Sequence, residues 1–251
     1  MGQNHRQEAK ACLTAFALLL AFTLPWLGYG LACLPPRFVS ADAAAQPQGK
    51  LIALTFDDGP RRETTTVLLN GLKQRGVPAT FFLIGEQIPG NEDLLRRMAA
   101  EGHQIGIHSY THQKLTGLND TDWAAEVDRT RLVIQNAVGP GYYFLRPPYG
   151  LTDPAVLRRA DRPIILWSVD PEDWAKRNTA ATAEHLLSHA RDGAILLLHD
   201  IYPSSVEAAL QVVDELHRQG YYFLTVEQLF AQRGIPLEAG KIYRNAYPAS
   251  P

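Results

Sequence analysis

The chain has 251 residues, enough for one large domain with a short appendage. Its 24 Lys and Arg nearly balance 26 Asp and Glu, for a formal net charge of −2, which argues against an electrostatic nucleic-acid binder. The two cysteines, Cys12 and Cys33, lie in an N-terminal apolar region. The remainder therefore has no disulfide or thiolate site, and any metal must be held by His and carboxylates.

Residues 1–10 are polar and include Arg6 and Lys10. Ala11 to Leu34 then carries no charge and is about long enough to cross a bilayer. The positive flank predicts a cytoplasmic N-terminus. Pro25 splits the run, so residues 1–34 read either as a membrane anchor or as a signal peptide. Small-x-small sites suitable for cleavage follow Ala32 and Ala45. Both readings put the rest of the chain outside the cytoplasm. Residues 35–49, rich in Pro, Ala and Gln, read as a linker. Residues 50–233 form the expected catalytic domain, and 234–251 a tail, either an irregular strap or disordered.

From Lys50 the pattern alternates. Apolar runs predict strands at 51–56, 79–84, 104–108, 142–146, 164–169, 194–199 and 222–225. Between them, helices are predicted at 63–75, 92–101, 121–137, 154–160, 180–191 and 206–219, with a last short one at 227–232. Gly76, Gly102, Gly193 and Gly220 supply helix stops, and Asp153-Pro154 an N-cap and first turn. Asp120 or Thr121 is the expected cap of the third helix. This alternation implies a parallel α/β sheet. Seven units predict a distorted barrel related to the TIM barrel but one unit short; an open doubly wound sheet is the alternative.

In a parallel barrel, functional groups collect at the C-terminal strand ends. Here those ends carry Asp57-Asp58, then His108-Ser109-Tyr110-Thr111-His112, then Arg146-Pro147-Pro148-Tyr149-Gly150. The next two carry Asp170-Pro171-Glu172-Asp173-Trp174 and His199-Asp200. The opposite strand ends have no such set.

His108 and His112 are four residues apart, a spacing that on a helical turn puts both imidazoles on one side. Asp58 is the expected third ligand, giving a two-imidazole, one-carboxylate site with room for water. There is no H-E-x-x-H peptidase signature. If Asp57-Asp58 is extended, the two side chains point opposite ways, one to metal and the other serving as base. Arg146 can pair with Asp57 and hold it ionised. His199 closes an apolar strand and is a candidate general acid, with Asp173 to fix its tautomer and raise its pKa. Pro147 and Pro148 stiffen the backbone at Tyr149, whose N–H can serve as an oxyanion donor. Trp174 and Leu197 can form an apolar wall. His5, His103, His185, His189 and His217 read as solvated.

The five stretches from Thr55 to Pro60, His108 to His112, Arg146 to Gly150, Asp170 to Trp174 and Leu197 to His199 resemble, in order and spacing, the polysaccharide deacetylase family. The resemblance covers about residues 50–232. It implies a distorted (β/α)7 barrel, a divalent metal (usually zinc, with cobalt, nickel or manganese possible) and hydrolysis of N-acetyl groups on glycans. It also implies Asp57 as base, His199 as acid, and Asp58, His108 and His112 as metal ligands. Arg146 and Asp173 become their orienting partners, Tyr149 the N–H donor, and Trp174 and Leu197 the acetyl-methyl pocket. Leu198 to Pro203 and Ser205 to Ala208 look like the bacterial peptidoglycan deacetylases. The expected enzyme is a monomer acting on N-acetylglucosamine of the cell wall, anchored or secreted. Chitooligosaccharides, an O-acetylated xylan, or a non-catalytic glycan-binding role are the alternatives.

Overall fold

The computed structural model of the chain describes residues 49–248. The predicted leader or anchor over 1–34 lies outside the described residues, as does the linker up to residue 48. Among the described residues no helix is long and apolar enough to cross a membrane.

Strand β1 (Lys50–Asp57) is the centre of the sheet, and seven of its eight residues are buried. A strand buried on both faces needs a continuous apolar run, which Leu51 to Phe56 provides. One edge of β1 pairs in parallel with the strand Ala194–His199 from Ile52 to Asp57. Its other edge is divided. Thr80–Leu83 takes Thr55 to Asp57, and Tyr221–Leu224 takes Lys50 to Ala53. Gln104–Ile107 pairs with Thr80–Leu83 in turn.

Side-chain parity along β1 separates two cores. Ile52, Leu54 and Phe56 pack with Leu68, Leu69 and Leu72 of the helix Arg62–Arg75. Leu51 and Ala53 pack instead with Phe82, Phe144, Ile165 and Ile195, closed off by Val226, Leu229 and Phe230 of the helix Val226–Gln232. The period of two then carries Thr55 and Asp57 to this second side.

Two predicted strands are much shorter than expected. The run 142–146 is reduced to single parallel bridges from Leu145 to Ile107 and to Ile164. The run 164–169 keeps only Ile164–Ile165 and one bridge, Val169 to Leu196. The cause is the buried Arg146, whose Nε and Nη2 donate to the carbonyls of Ile165 and Leu166, so a side chain takes acceptors a ladder would otherwise use. The described part of the predicted tail, residues 234–248, contains a short strand. Its Ile242–Tyr243 pairs in parallel with Ile164–Ile165.

The predicted helix over 121–137 is broken into Asp120–Trp123, a π-turn at Ala124–Asp128 and Arg129–Val138, and its cap is Asn119. Asp153 caps the helix Pro154–Arg159 as its sequence predicts, accepting from the Val156 N–H. The helix Thr179–His189 precedes strand Ala194–His199, and Pro203–Arg218 follows it. His103, read as solvated, is buried: its ring sits edge-on to Phe81 and accepts the Ala79 N–H through Nδ1. Burial pushes its pKa down to about 4.

Candidate active site

The C-terminal ends of the parallel strands surround a cavity of about 460 Å³. Asp57, Asp58, His108, His112, Tyr149, Trp174, Leu197 and His199 line it, so eight of the ten predicted site residues meet there. The other two, Arg146 and Asp173, are buried behind it and hold Asp57 and His199. Trp167, Asp170 and Tyr202 complete the lining.

Asp57 is buried, and its Oδ1 accepts from Arg146 Nη1 at 2.7 Å. The same Nη1 reaches Thr55 Oγ1 at 2.8 Å, and Arg146 Cζ lies 4.0 Å from the Phe82 ring centroid. Burial lowers the Arg146 pKa, and Asp57 opposes that shift. A guanidinium stays charged under such pressure. The pair is thus a fully engaged buried ion pair, the condition under which two desolvated charges are tolerated.

Asp58 departs from the extended geometry assumed for it. Its φ is 71°, which swings its carboxylate into the cavity beside that of Asp57. Both acids therefore share one side of the turn. The next residue, Gly59, packs directly on Asp200, where a Cβ would collide with the carboxylate.

His108 and His112 are not on a helix. The loop between them turns through positive φ at Ser109 (64°) and His112 (63°), bringing the ring centroids to 5.2 Å. His108 Nδ1 donates to the Arg146 carbonyl at 2.6 Å, which leaves Nε2 as the free lone pair. Both Nε2 atoms lie 3.4 Å from Asp58 Oδ1. That oxygen is buried and has no hydrogen-bond partner. Ligand atoms of Asp58, His108 and His112 all fall within 4.8 Å of one another. An orphaned carboxylate oxygen facing two imidazole lone pairs is costly unless a cation joins them, so these residues fit a divalent metal. Burial lowers the pKa of His112 and favours its neutral, ligating form.

His199 is held at two points by the buried Asp173. Oδ1 accepts from its Nδ1 at 2.8 Å, and Oδ2 from its backbone N–H at 2.9 Å. Burial alone would lower the His199 pKa. The hydrogen bond and charge of Asp173, with Asp57 and Asp58 further off, raise it instead to about 9. Tyr149 packs on His112 at 4.7 Å between centroids and has φ 61°. Among the described residues, the six non-glycine positive-φ positions are Asp58, Ser109, His112, Tyr149, Glu172 and Arg177. Every one lies in the cavity lining or in a segment that carries it, and backbone strain concentrated this way is characteristic of functional sites.

Two acids have supporting roles that the sequence does not reveal, Glu126 and the strand-end Asp200. Glu126, buried in the π-turn, accepts from the N–H groups of Tyr110 and Thr111 at 2.9 and 3.0 Å and from the Thr111 hydroxyl at 2.8 Å. It thereby braces the loop between the two histidines. The signal available was an acid three residues after Trp123 and four before Thr130, on the buried face. Asp200, fully buried, accepts the Thr65 hydroxyl proton, and burial raises its pKa to about 7.

Residues 44–162 match the family model for polysaccharide deacetylase. Over 194 residues the chain is 38% identical to peptidoglycan-N-acetylglucosamine deacetylase PgdA of Listeria monocytogenes, a match covering 77% of this chain and 41% of that relative. The chain thus spans less than half the length of that relative. It is 35% identical to a chitooligosaccharide deacetylase of a Bradyrhizobium species, covering 71% of this chain and 90% of the other. Among solved structures, a family 4 acetyl xylan esterase from Clostridium thermocellum, in complex with a cobalt ion, superposes with a TM-score of 0.74 at 31% identity, covering 78% of this chain and 98% of that one. Sequence and fold agree over the segment that carries the cavity: the chain belongs to the polysaccharide deacetylase family.

Proposed function

We propose that this chain is a metal-dependent glycan N-deacetylase acting outside the cytoplasm, with N-acetylglucosamine of peptidoglycan as its substrate. One observation carries the reading. Asp57 and His199 are register partners on neighbouring strands, each braced by a buried opposite charge or acceptor, beside the Asp58–His108–His112 cage. A base and an acid set side by side at a cation site suit hydrolysis of an unreactive amide.

A divalent cation held by Asp58, His108 and His112, with zinc the expected one, supplies Lewis acidity for the acetyl carbonyl and for water. Asp57, held by Arg146, takes a proton from the attacking water as the water oxygen bonds to the acetyl carbon. The Tyr149 N–H donates to the oxyanion that develops. His199, oriented by Asp173, gives its proton to the sugar nitrogen as the C–N bond breaks. Water is consumed, and acetate and a free amine leave. Trp174 and Leu197 receive the methyl group. The acid and base steps each contribute on the order of 10²–10⁴ in rate.

The organisation that goes with this reading is a leader or anchor over 1–34, a linker over 35–49, a catalytic domain over 50–233 and a tail over 234–251. The fold reading is a distorted (β/α)7 barrel. Its support is the parallel bridging from Gln104–Ile107 through Leu145 to Ile164, and from Val169 to Leu196. The test is acetate release from peptidoglycan, chitin oligomers and acetylated xylan, with a chelator and with metal restored. The expected result is metal-dependent release that is fastest on peptidoglycan. Likeness to an acetyl xylan esterase supports a second reading, ester hydrolysis on xylan, which the same assay separates. Retention on cell-wall material without release under any divalent metal would instead favour a binding module.

A further inference from the structure

A smaller cleft of about 220 Å³ adjoins the candidate active site, lined by Asp58, Arg61, Ile84, Gln87, His112 and Ile201. Asp58 and His112 belong to both hollows, so the cleft opens beside the metal cage. Its one cation, Arg61, is anchored. Nη1 donates to the Ile201 carbonyl at 3.2 Å. The Arg61 N–H donates to Thr65 Oγ1 at 2.8 Å, and the Arg61 carbonyl accepts the Thr65 N–H at 2.8 Å. Thr65 is locked in turn on the buried Asp200. The buried Asp200 thus acts, through Thr65, to set the backbone of Arg61. Among the described residues the Arg61 guanidinium has no carboxylate partner, which leaves most of its donors unused.

Two more cations stand at the rim of the main cavity. Lys114 Nζ is 5.8 Å from the Tyr149 ring centroid, and Arg177 Cζ is 4.5 Å from that of Tyr202; both rings line the cavity. Neither cation is ion-paired among the described residues. The rim carboxylates are engaged locally: Asp170 accepts the Glu172 N–H at 2.8 Å, and Glu172 pairs with Lys176 at 3.0 Å. The cavity floor is acidic and its rim basic.

We propose that Arg61 is the centre of a subsite for a carboxylate on the sugar next to the one deacetylated, with Lys114 and Arg177 extending the positive rim along the glycan. The ligand class is an anionic glycan whose alternate sugars carry a free carboxylate, as the lactyl groups do in peptidoglycan strands that bear no stem peptide. This rests on the deacetylase reading above and narrows it. A guanidinium fork matches a carboxylate geometrically. Anchoring before binding reduces the ordering cost. A basic rim also concentrates a polyanion near the site, an effect that salt screens. Neutral chitin and xylan backbones offer Arg61 no counter-charge.

The experiment uses the full-length, zinc-loaded chain and peptide-free peptidoglycan strands, with carboxyl groups either native or converted to amides. The readout is the ratio of kcat/KM on native strands to that on amidated strands. Wild type is expected to favour native strands, and Arg61→Gln to lower the ratio about tenfold, mainly through KM. Arg61→Lys should restore part of it. Raising salt to about 0.5 M should shrink the wild-type ratio, a measurement that needs no variant. A ratio unchanged within about twofold in Arg61→Gln, or a wild type without preference, overturns the subsite alone. A wild type that releases no acetate from either strand overturns the deacetylase reading, and the subsite falls with it.

Discussion

Asp57 and His199 face each other across two neighbouring parallel strands as direct register partners. Parallel strands lie about 4.8 Å apart, so one register brings a carboxylate and an imidazole to the same point of the cavity wall. Each is then held from behind, Asp57 by Arg146 and His199 by Asp173.

Asp57→Asn removes the proposed base but leaves the three cage residues intact. Acetate release should fall by about 10²–10⁴, while the zinc affinity measured by calorimetry stays near that of wild type. Retained activity would remove Asp57 from the base role. Arg146→Met should be worse for the fold than for metal binding, because it strands a buried carboxylate. A loss of about 3–5 kcal/mol in denaturant unfolding is expected.

Asp173→Asn removes the charge that raises His199. The His199 pKa is raised from 6.5 to about 9 in the folded chain, so its contribution to stability is fully present below about pH 6.5 and is lost as pH rises through about 9. The melting temperature gap between wild type and Asp173→Asn, both metal-free, should therefore be widest on the acid side and close across that window. A gap independent of pH would contradict this coupling. The alkaline limb of kcat should also move to lower pH in the variant.

Glu126→Ala frees the loop that carries His112. Partners that orient metal ligands typically contribute 10–100-fold in affinity, so zinc binding should weaken by about tenfold or more. Glu126→Gln keeps one acceptor oxygen for the Tyr110 and Thr111 N–H groups and should recover part of the loss. Equal zinc affinity in all three chains would leave Glu126 with a packing role only.

Asp200 titrates in the opposite sense to an ordinary paired acid. Burial raises its pKa from 3.8 to about 7, so its contribution to stability is present below about pH 3.8 and is lost as pH rises through about 7. Asp200→Asn is expected to be more stable than wild type at pH 8, relative to the difference at pH 4, in thermal unfolding of the metal-free chain.

Metal removal should lower the melting temperature, since a ligand that binds only the folded chain stabilises it in proportion to the logarithm of its concentration over Kd. The cage explains why: without a cation, Asp58 Oδ1 is buried with no partner. Identical melting with chelator and with excess zinc would count against the cage.

Much of this protein was legible in its sequence. Apolar runs ending in ionisable residues marked the parallel strands and the end of the sheet where function gathers, because burial on both faces demands continuous hydrophobicity and charge cannot stay in such a core. Nine of the ten predicted site residues came from those endings, with Leu197 from inside its strand, and eight of the ten line one cavity with the other two directly behind. What the sequence could not carry was anything set by backbone reversal or long-range contact. The φ of 71° at Asp58 overrode the alternation that would have separated the two acids. The His108–His112 loop brought its rings together without a helix. Arg146 took the Ile165 and Leu166 carbonyls and so cut short a strand that its residues favoured. His103, Glu126 and Asp200 were polar by composition yet buried by packing, since their partners lie 24, 15 or 135 residues away in the chain. Local sequence therefore determined which residues end the strands. Only tertiary structure decided which way they point, which acids stand behind them, and that a pair of carboxylates could share one wall with two imidazoles.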